Sequence, residues 1–249
     1  MGQGKNGRRL FSEFLVIVLG VLVALFVDEL RDVRADRVLE GQYLERLQGD
    51  LSRGRITLDT IRLQLTGASR NADLVGPYLL GGSEMPGDTS TVVAALYRAS
   101  RSLAPGLGNS LPRATFLELQ ATGRIGLIRS IEIRAALLDY YTEVDGIAVN
   151  LALLPREYRD FIRRRIPAAL QLTVRSECSV FDTAHEGGLE CDISLGDFDP
   201  RPLFLEVEGN ATVAGDLNIS RQQMAIGVDL LDALIERTDS LVNLLRRER

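Results

Sequence analysis

The chain has 249 residues, 45% of them hydrophobic and 25% charged, with a formal net charge of −5. That size holds one ordinary domain or two small ones with a real core, and the composition excludes collagen-like, low-complexity and disordered chains. The sign of the charge argues against nucleic-acid binding, which needs basic groups to neutralise phosphates.

The first feature in chain order is Phe14 to Val27, FLVIVLGVLVALFV, fourteen residues without a polar side chain. Fourteen helical residues cover only about 21 Å of a roughly 30 Å hydrocarbon core. Apolar character extends outward through Leu10, Phe11 and Leu30, and a helix over 10–30 reaches about 31 Å. Glu13, Asp28 and Glu29 then fall at the interfaces, where carboxylates reach water. The segment 10–30 is therefore predicted to be a transmembrane helix. The competing reading is a cleaved signal peptide, for which Val27-Asp28-Glu29-Leu30-Arg31 offers no small-x-small cleavage site.

Lys5, Arg8 and Arg9 precede the span, and residues 1–9 contain no acid. This predicts a cytoplasmic tail over 1–9, with residues 31–249 exported to the periplasm of a bacterial inner membrane. No second long apolar run follows, so the expected topology is single-pass. Within the span, Gly20 and Ala24 form a small-xxx-small pair that permits close helix approach. Glu13, one turn after Arg9, is a further candidate for a transmembrane contact.

Three stripes at alternating intervals of three and four follow the span. Leu44, Leu47, Leu51, Leu58, Ile61 and Leu65 form the first, with Gly54 in the missing place, and predict one helix from the membrane to about Thr66, ended or bent at Gly67. The second runs Ile133, Leu137, Tyr140, Val144, Ile147, Leu151, Leu154, Tyr158 and Phe161, with a kink or a restarted helix at Pro155. The third is Met224, Val228, Leu231, Ile235, Thr238, Val242 and Leu245, with Ser220 as its N-cap and Gln223 completing a capping box. Broad faces such as Leu230, Leu231, Leu234 and Ile235 suit an intramolecular bundle better than a coiled-coil seam between protomers. The fold class expected is mostly all-α: a transmembrane helix continuing into a periplasmic helical bundle, with a small disulfide-closed acidic loop region. Shorter helices are expected over Ala72–Leu80, Thr91–Leu103 and Thr115–Ala121. The last stops at Gly123 before the hydrophobic corner Ile125 to Arg129, and Ser130 caps the next long helix.

The chain resembles a family of uncharacterised single-pass bacterial membrane proteins defined by a domain of unknown function. Two stretches carry the resemblance: EFLVIVLGVLVALFVDELRDVRADRVLEGQYLERLQGDL, closing on YLxxLxxDL, and TFLELQATGRIGLIRSIEIRAALLDYY, a helix, Gly turn and Leu-Ile pair. Together they cover about a quarter of the chain. The resemblance implies an N-terminal anchor and a helical periplasmic domain, and no activity, ligand or catalytic residue.

Cys178 and Cys191 are the only cysteines, thirteen positions apart around a turn-rich interval. In an oxidising compartment they are expected to form one structural disulfide. They lie in a loop-rich insert expected over about 172–218, where nine carboxylates from Glu177 to Glu208 face Arg201 alone. A calcium site or a dock for a basic partner is the sharper reading of that stretch, a solvated loop the plainer one. His185, the only histidine, has no second ligand nearby in sequence. The run Arg163-Arg164-Arg165 and the closing Arg246-Arg247-Glu248-Arg249 are solvated helix faces or contacts to anionic headgroups.

No nucleophile elbow, phosphate-cradling Gly loop, HExxH or dinucleotide fingerprint is present, so no enzyme, cofactor, catalytic residue or metal ligand is expected. The leading expectation is a membrane-anchored interaction or scaffold protein. Its partners would be the lipid bilayer together with a membrane or periplasmic protein or further copies of itself. The alternative is a ligand-sensing ectodomain that signals through a membrane partner; an apolar pocket between helices with a few converging polar groups, for instance near Arg134, Tyr140 and Tyr141, would favour it.

Overall fold

Apolar side chains spaced by threes and fours must bury one face of a helix against another, and this chain does so along most of its length. The computed structural model describes residues 4–82, 84, 87–100, 107–152, 156–178, 191 and 193–248, with the side chains of 4–13, 16–17, 108–109 and 150–152 outside that description. Among the described residues all regular structure is helical. The helices are α1 (Gly4–Leu79), α2 (Thr89–Ala99), α3 (Leu107–Ser110), α4 (Ala114–Ala121), a 3-10 turn (Arg124–Leu127), α5 (Ile131–Ala152), α6 (Glu157–Arg165), α7 (Ala168–Glu177), α8 (Arg201–Val207) and α9 (Ala211–Arg247).

α1 is one helix of 76 residues, about 114 Å long at the usual rise. It does not end at Gly67. The stripe continues there through Ala68, Ala72, Val75 and Leu79, all buried, because alanine fills the core-facing place as well as leucine where the neighbouring helix lies close. Asn71 donates its side-chain amide to the Gly67 carbonyl at 2.6 Å, which spends the polar group that made this stretch read as a stop. The actual stop is Gly81, at φ +70, a left-handed position that glycine takes without strain.

The two ends of α1 have different surroundings. From Phe14 to Val38 every described side chain is exposed, and burial begins at Glu40. Beyond that point α9 runs antiparallel to α1, and its ion pairs mark a constant register: Arg55 with Asp239, Arg62 with Asp232, and Arg221 with Asp73. Such exposed pairs contribute about 0–1 kcal/mol each. They select alignment, while burial of Leu47, Leu58, Leu231, Leu234 and Leu245, each fully covered, drives association. α5 packs along α9, α2 along α1, and α6 against α2 and α9.

Three local expectations change. α9 begins at Ala211 rather than after Ser220, because the Asn210 side chain accepts from the backbone N–H groups of Thr212 and Val213 at 3.2 Å. The described parts of the 172–218 insert are largely helical: the end of α7, all of α8 and the start of α9 lie in it, with Leu203, Phe204 and Val207 buried. The second stripe divides between α5 and a restarted α6, Pro155 lying outside the described residues. Elsewhere the corner follows expectation: Gly123 stops α4 at φ +67, and the Ser130 hydroxyl accepts from the Ile133 N–H at 3.3 Å.

Among the described residues no helix is long and apolar enough to cross a membrane. The stretch read as a span lies within α1, and its side chains at 10–13, 16 and 17 are outside the described residues.

Candidate functional site

The most concentrated polar chemistry lies where α1 enters the bundle. Glu40, 7% exposed, accepts from the backbone N–H of Arg129 at 2.7 Å and from its Nε at 2.6 Å. Nearly three turns further, Asp50, 5% exposed, accepts from the Thr115 N–H at 3.1 Å and from Arg53 at 2.6 Å. Thr115 is in the first turn of α4, where backbone N–H groups lack partners within the helix. Asp50 thus caps α4 from a neighbouring helix, a role its own N-cap residue Arg113 does not fill. Between these two, Glu118 accepts from the Tyr43 hydroxyl at 2.9 Å and pairs with Arg46. The hydrogen bonds from Arg46 and then Tyr43 hold the Glu118 carboxyl below its ordinary range.

These contacts join the two stretches that carried the family resemblance. The YLxxLxxDL close supplies Tyr43 and Asp50, and the helix–turn stretch supplies Thr115, Glu118 and Arg129. The chemistry is structural: each carboxylate is spent on a hydrogen bond that fixes the α4–α5 corner against α1. Sequence reasoning singled out neither acid for this role. The available signals were Glu40 standing inside the heptad frame, and Asp50 standing beside the buried Leu51.

The tyrosines behind this clamp form core rather than a pocket. Tyr140 and Tyr141 are 1% and 2% exposed. Tyr141 stacks on Phe116 with ring centroids 4.2 Å apart, and Tyr140 accepts from the Thr238 hydroxyl at 3.3 Å. Burial pushes both phenols above their ordinary range. Arg134 points elsewhere and donates to the Ile128 carbonyl at 2.8 Å. A groove of about 490 Å³ does run between α5 and α9. Glu132 and Asp139 line it with Arg237 and Arg247, alongside Ala136, Leu241 and Leu244. Arg237 is also paired with Glu143.

The remaining sequence candidates are dispersed. An added Cβ at Gly20 would meet nothing, and Ala24 is exposed, so neither is used within the chain. The Glu13 side chain lies outside the described residues, as do His185, Asp182, Glu186, Glu190 and Asp192. Of the other acids, Asp199 pairs with Arg201, and Glu206 with Arg165. No group of three or more metal-ligating side chains converges among the described residues. Cys178 and Cys191 are bonded, with Cα atoms 5.6 Å apart. Of the arginine run, Arg163 lies over the Tyr97 ring and Arg165 over Phe161. Those contacts, with Glu206, place the run beside α2 and α8, away from the exposed part of α1.

No family model, curated protein or solved structure matches the chain.

Proposed function

We propose that this chain is a membrane-anchored interaction protein: a tail over 1–9 in the cytoplasm, a span over 10–30, and a periplasmic bundle that serves as a subunit of a membrane complex or of a homo-oligomer. One observation carries the reading. The apolar run of α1 makes no use of the bundle, with Phe14, Leu22, Leu25 and Phe26 at 57–64% exposure, yet it is continuous with the helix around which the bundle is built. A row of exposed large apolar side chains this long is costly in water and favourable in lipid. The family resemblance favours the same architecture.

The outer face of α5 supports the interaction role. Ala135, Leu138, Thr142 and Val149 share one side of that helix and are all exposed, a stripe suited to burial against another helix. Tyr140 and Tyr141 pack into the core, so the ligand-sensing alternative draws instead on the charged groove between α5 and α9.

The test is to solubilise the native complex in mild detergent, identify co-purifying chains and measure its mass. A defined partner or a discrete oligomer is expected, and a strict monomer with no partner overturns the interaction reading. A reporter fused after Arg249 is expected to be active only outside the cytoplasm, and activity inside overturns the orientation.

A further inference from the structure

We propose that the α4–α5 corner, residues 122–131, rests on the anionic headgroups of the leaflet from which α1 emerges, giving the bundle a second point of membrane contact. The inference depends on the anchor reading and adds to it a surface that reading does not require.

Position is the first argument. The corner is bonded to Glu40 through Arg129, and Glu40 is the first buried residue among the described side chains of α1. From Leu30, the last residue of the span, to Glu40 is about 15 Å of helix. The headgroup layer takes up about 5–8 Å of that, and the tilt of about 20° usual for spans lowers one side of a rigidly attached bundle. Flexible arginine side chains reach across what remains. Described links elsewhere lie further along α1: Leu111 and Pro112 face Gly54, and α8 packs on Tyr78 through Phe204 at 6.3 Å between rings, near the far end.

Composition is the second argument. From Leu119 to Ile131 the chain has two arginines and no carboxylate, in a protein whose exported portion is otherwise acidic. Arg124 is exposed, and Arg129 keeps 67% of its side chain exposed although its Nε holds Glu40. Ile131 is 73% exposed, and Ile125 and Leu127 are half-buried. The glycines between them, Gly123 and Gly126, would meet nothing with an added Cβ. Apolar side chains among arginines are what an interfacial contact with an anionic bilayer requires. The register of α9 adds Arg246 and Arg247, both exposed, about two turns above the corner. Beside the corner itself the free acids among the described residues are Glu132 and Glu248; Glu40 is bonded to Arg129 and Glu118 to Arg46, while Asp28, Glu29, Asp32 and Asp36 of the stalk alternate with Arg31, Arg34 and Arg37.

The consequence is orientation. A single helix fixes neither its tilt nor its rotation in the bilayer, whereas a second contact selects one tilt and presents one fixed side to a membrane partner.

The absence of tryptophan makes the test direct. Three single-tryptophan variants of the full chain, Leu22→Trp, Ile131→Trp and Leu205→Trp, are reconstituted in phosphatidylcholine–phosphatidylglycerol vesicles with acyl chains brominated both near the headgroup and near the bilayer centre. All three replace exposed residues, so the fold is retained. Emission is expected to be quenched for Leu22→Trp, quenched and blue-shifted for Ile131→Trp, and unquenched for Leu205→Trp. Adding Arg124→Glu, or omitting phosphatidylglycerol, is expected to reduce the Ile131→Trp quenching. If Ile131→Trp behaves like Leu205→Trp while Leu22→Trp is quenched, the corner contact is overturned and the anchor stands. If Ile131→Trp is blue-shifted but unquenched, protein rather than lipid covers the corner, and the proposal is equally overturned. If Leu22→Trp is unquenched, the anchor reading fails and takes this inference with it.

Discussion

Gly54 occupies the one place in the α1 stripe that has no side chain, opposite Leu111, Pro112 and the Tyr140 hydroxyl. An added Cβ would stand 3.8–3.9 Å from those atoms, an ordinary contact, and glycine inside a helix costs about 0.5–1 kcal/mol relative to alanine. Gly54→Ala is therefore expected to raise the thermal midpoint by a few degrees, while Gly54→Leu overpacks the site by about 1–3 kcal/mol and lowers it. Circular-dichroism melts in detergent separate the two. Glu118 makes a pH-dependent contribution of known sign. Its carboxyl is held below the ordinary value of 4.5 by Arg46 and Tyr43, so its ion pair stabilises fully above that value and is lost as pH falls through the folded one. The difference in melting temperature between the parent chain and Glu118→Gln is expected at neutral pH and should vanish in acid. A difference that persists at low pH would assign the effect to packing.

At the scale of elements, the start of α9 is the sharpest discrimination. Ser220 with Gln223 has the form of a capping box, yet Asn210 holds the cap. Asn210→Ala is expected to cost about 1 kcal/mol. Ser220→Ala, now inside a helix, is expected to be neutral or slightly stabilising, and paired denaturant melts check both. Cap spacing alone does not distinguish a helix start from a Ser-x-x-Gln inside a helix. Val213, Ala214 and Leu217 are buried and already belong to the α9 face. The last turns of α1, where Ala68 and Ala72 continue the leucine stripe, are hidden for a different reason. Small residues count as core only when the approach of a second helix is known, and that distance is a tertiary quantity.

For the whole molecule, the bond between Cys178 and Cys191 ties the end of α7 to the segment leading into α8. A loop of this length confers on the order of 3 kcal/mol when closed. Reduction, or replacement of both cysteines by serine, is expected to lower the melting temperature. Membrane association of the same sample in a flotation assay should be unchanged, since the anchor and the bond lie on different elements. Loss of both together would mean that the bundle, and not α1, holds the chain to lipid.

The helical class, the three stripes, the α4–α5 corner with its glycine stop, and the continuous helix leading from the apolar run were legible in the amino-acid sequence, because periodic burial and cap chemistry are local. The clamp was not. Glu40, Asp50 and Glu118 are ordinary acids in the chain, and only the antiparallel return of α4 beside α1 makes them partners of Arg129, Thr115 and Arg46. The same holds for Tyr140 and Tyr141, whose polar tips suggest a pocket until packing closes it. Nor could periodicity say which end of the bundle faces the apolar run. Contacts between residues some seventy to ninety positions apart decide that, since they arise only when the chain folds back on itself.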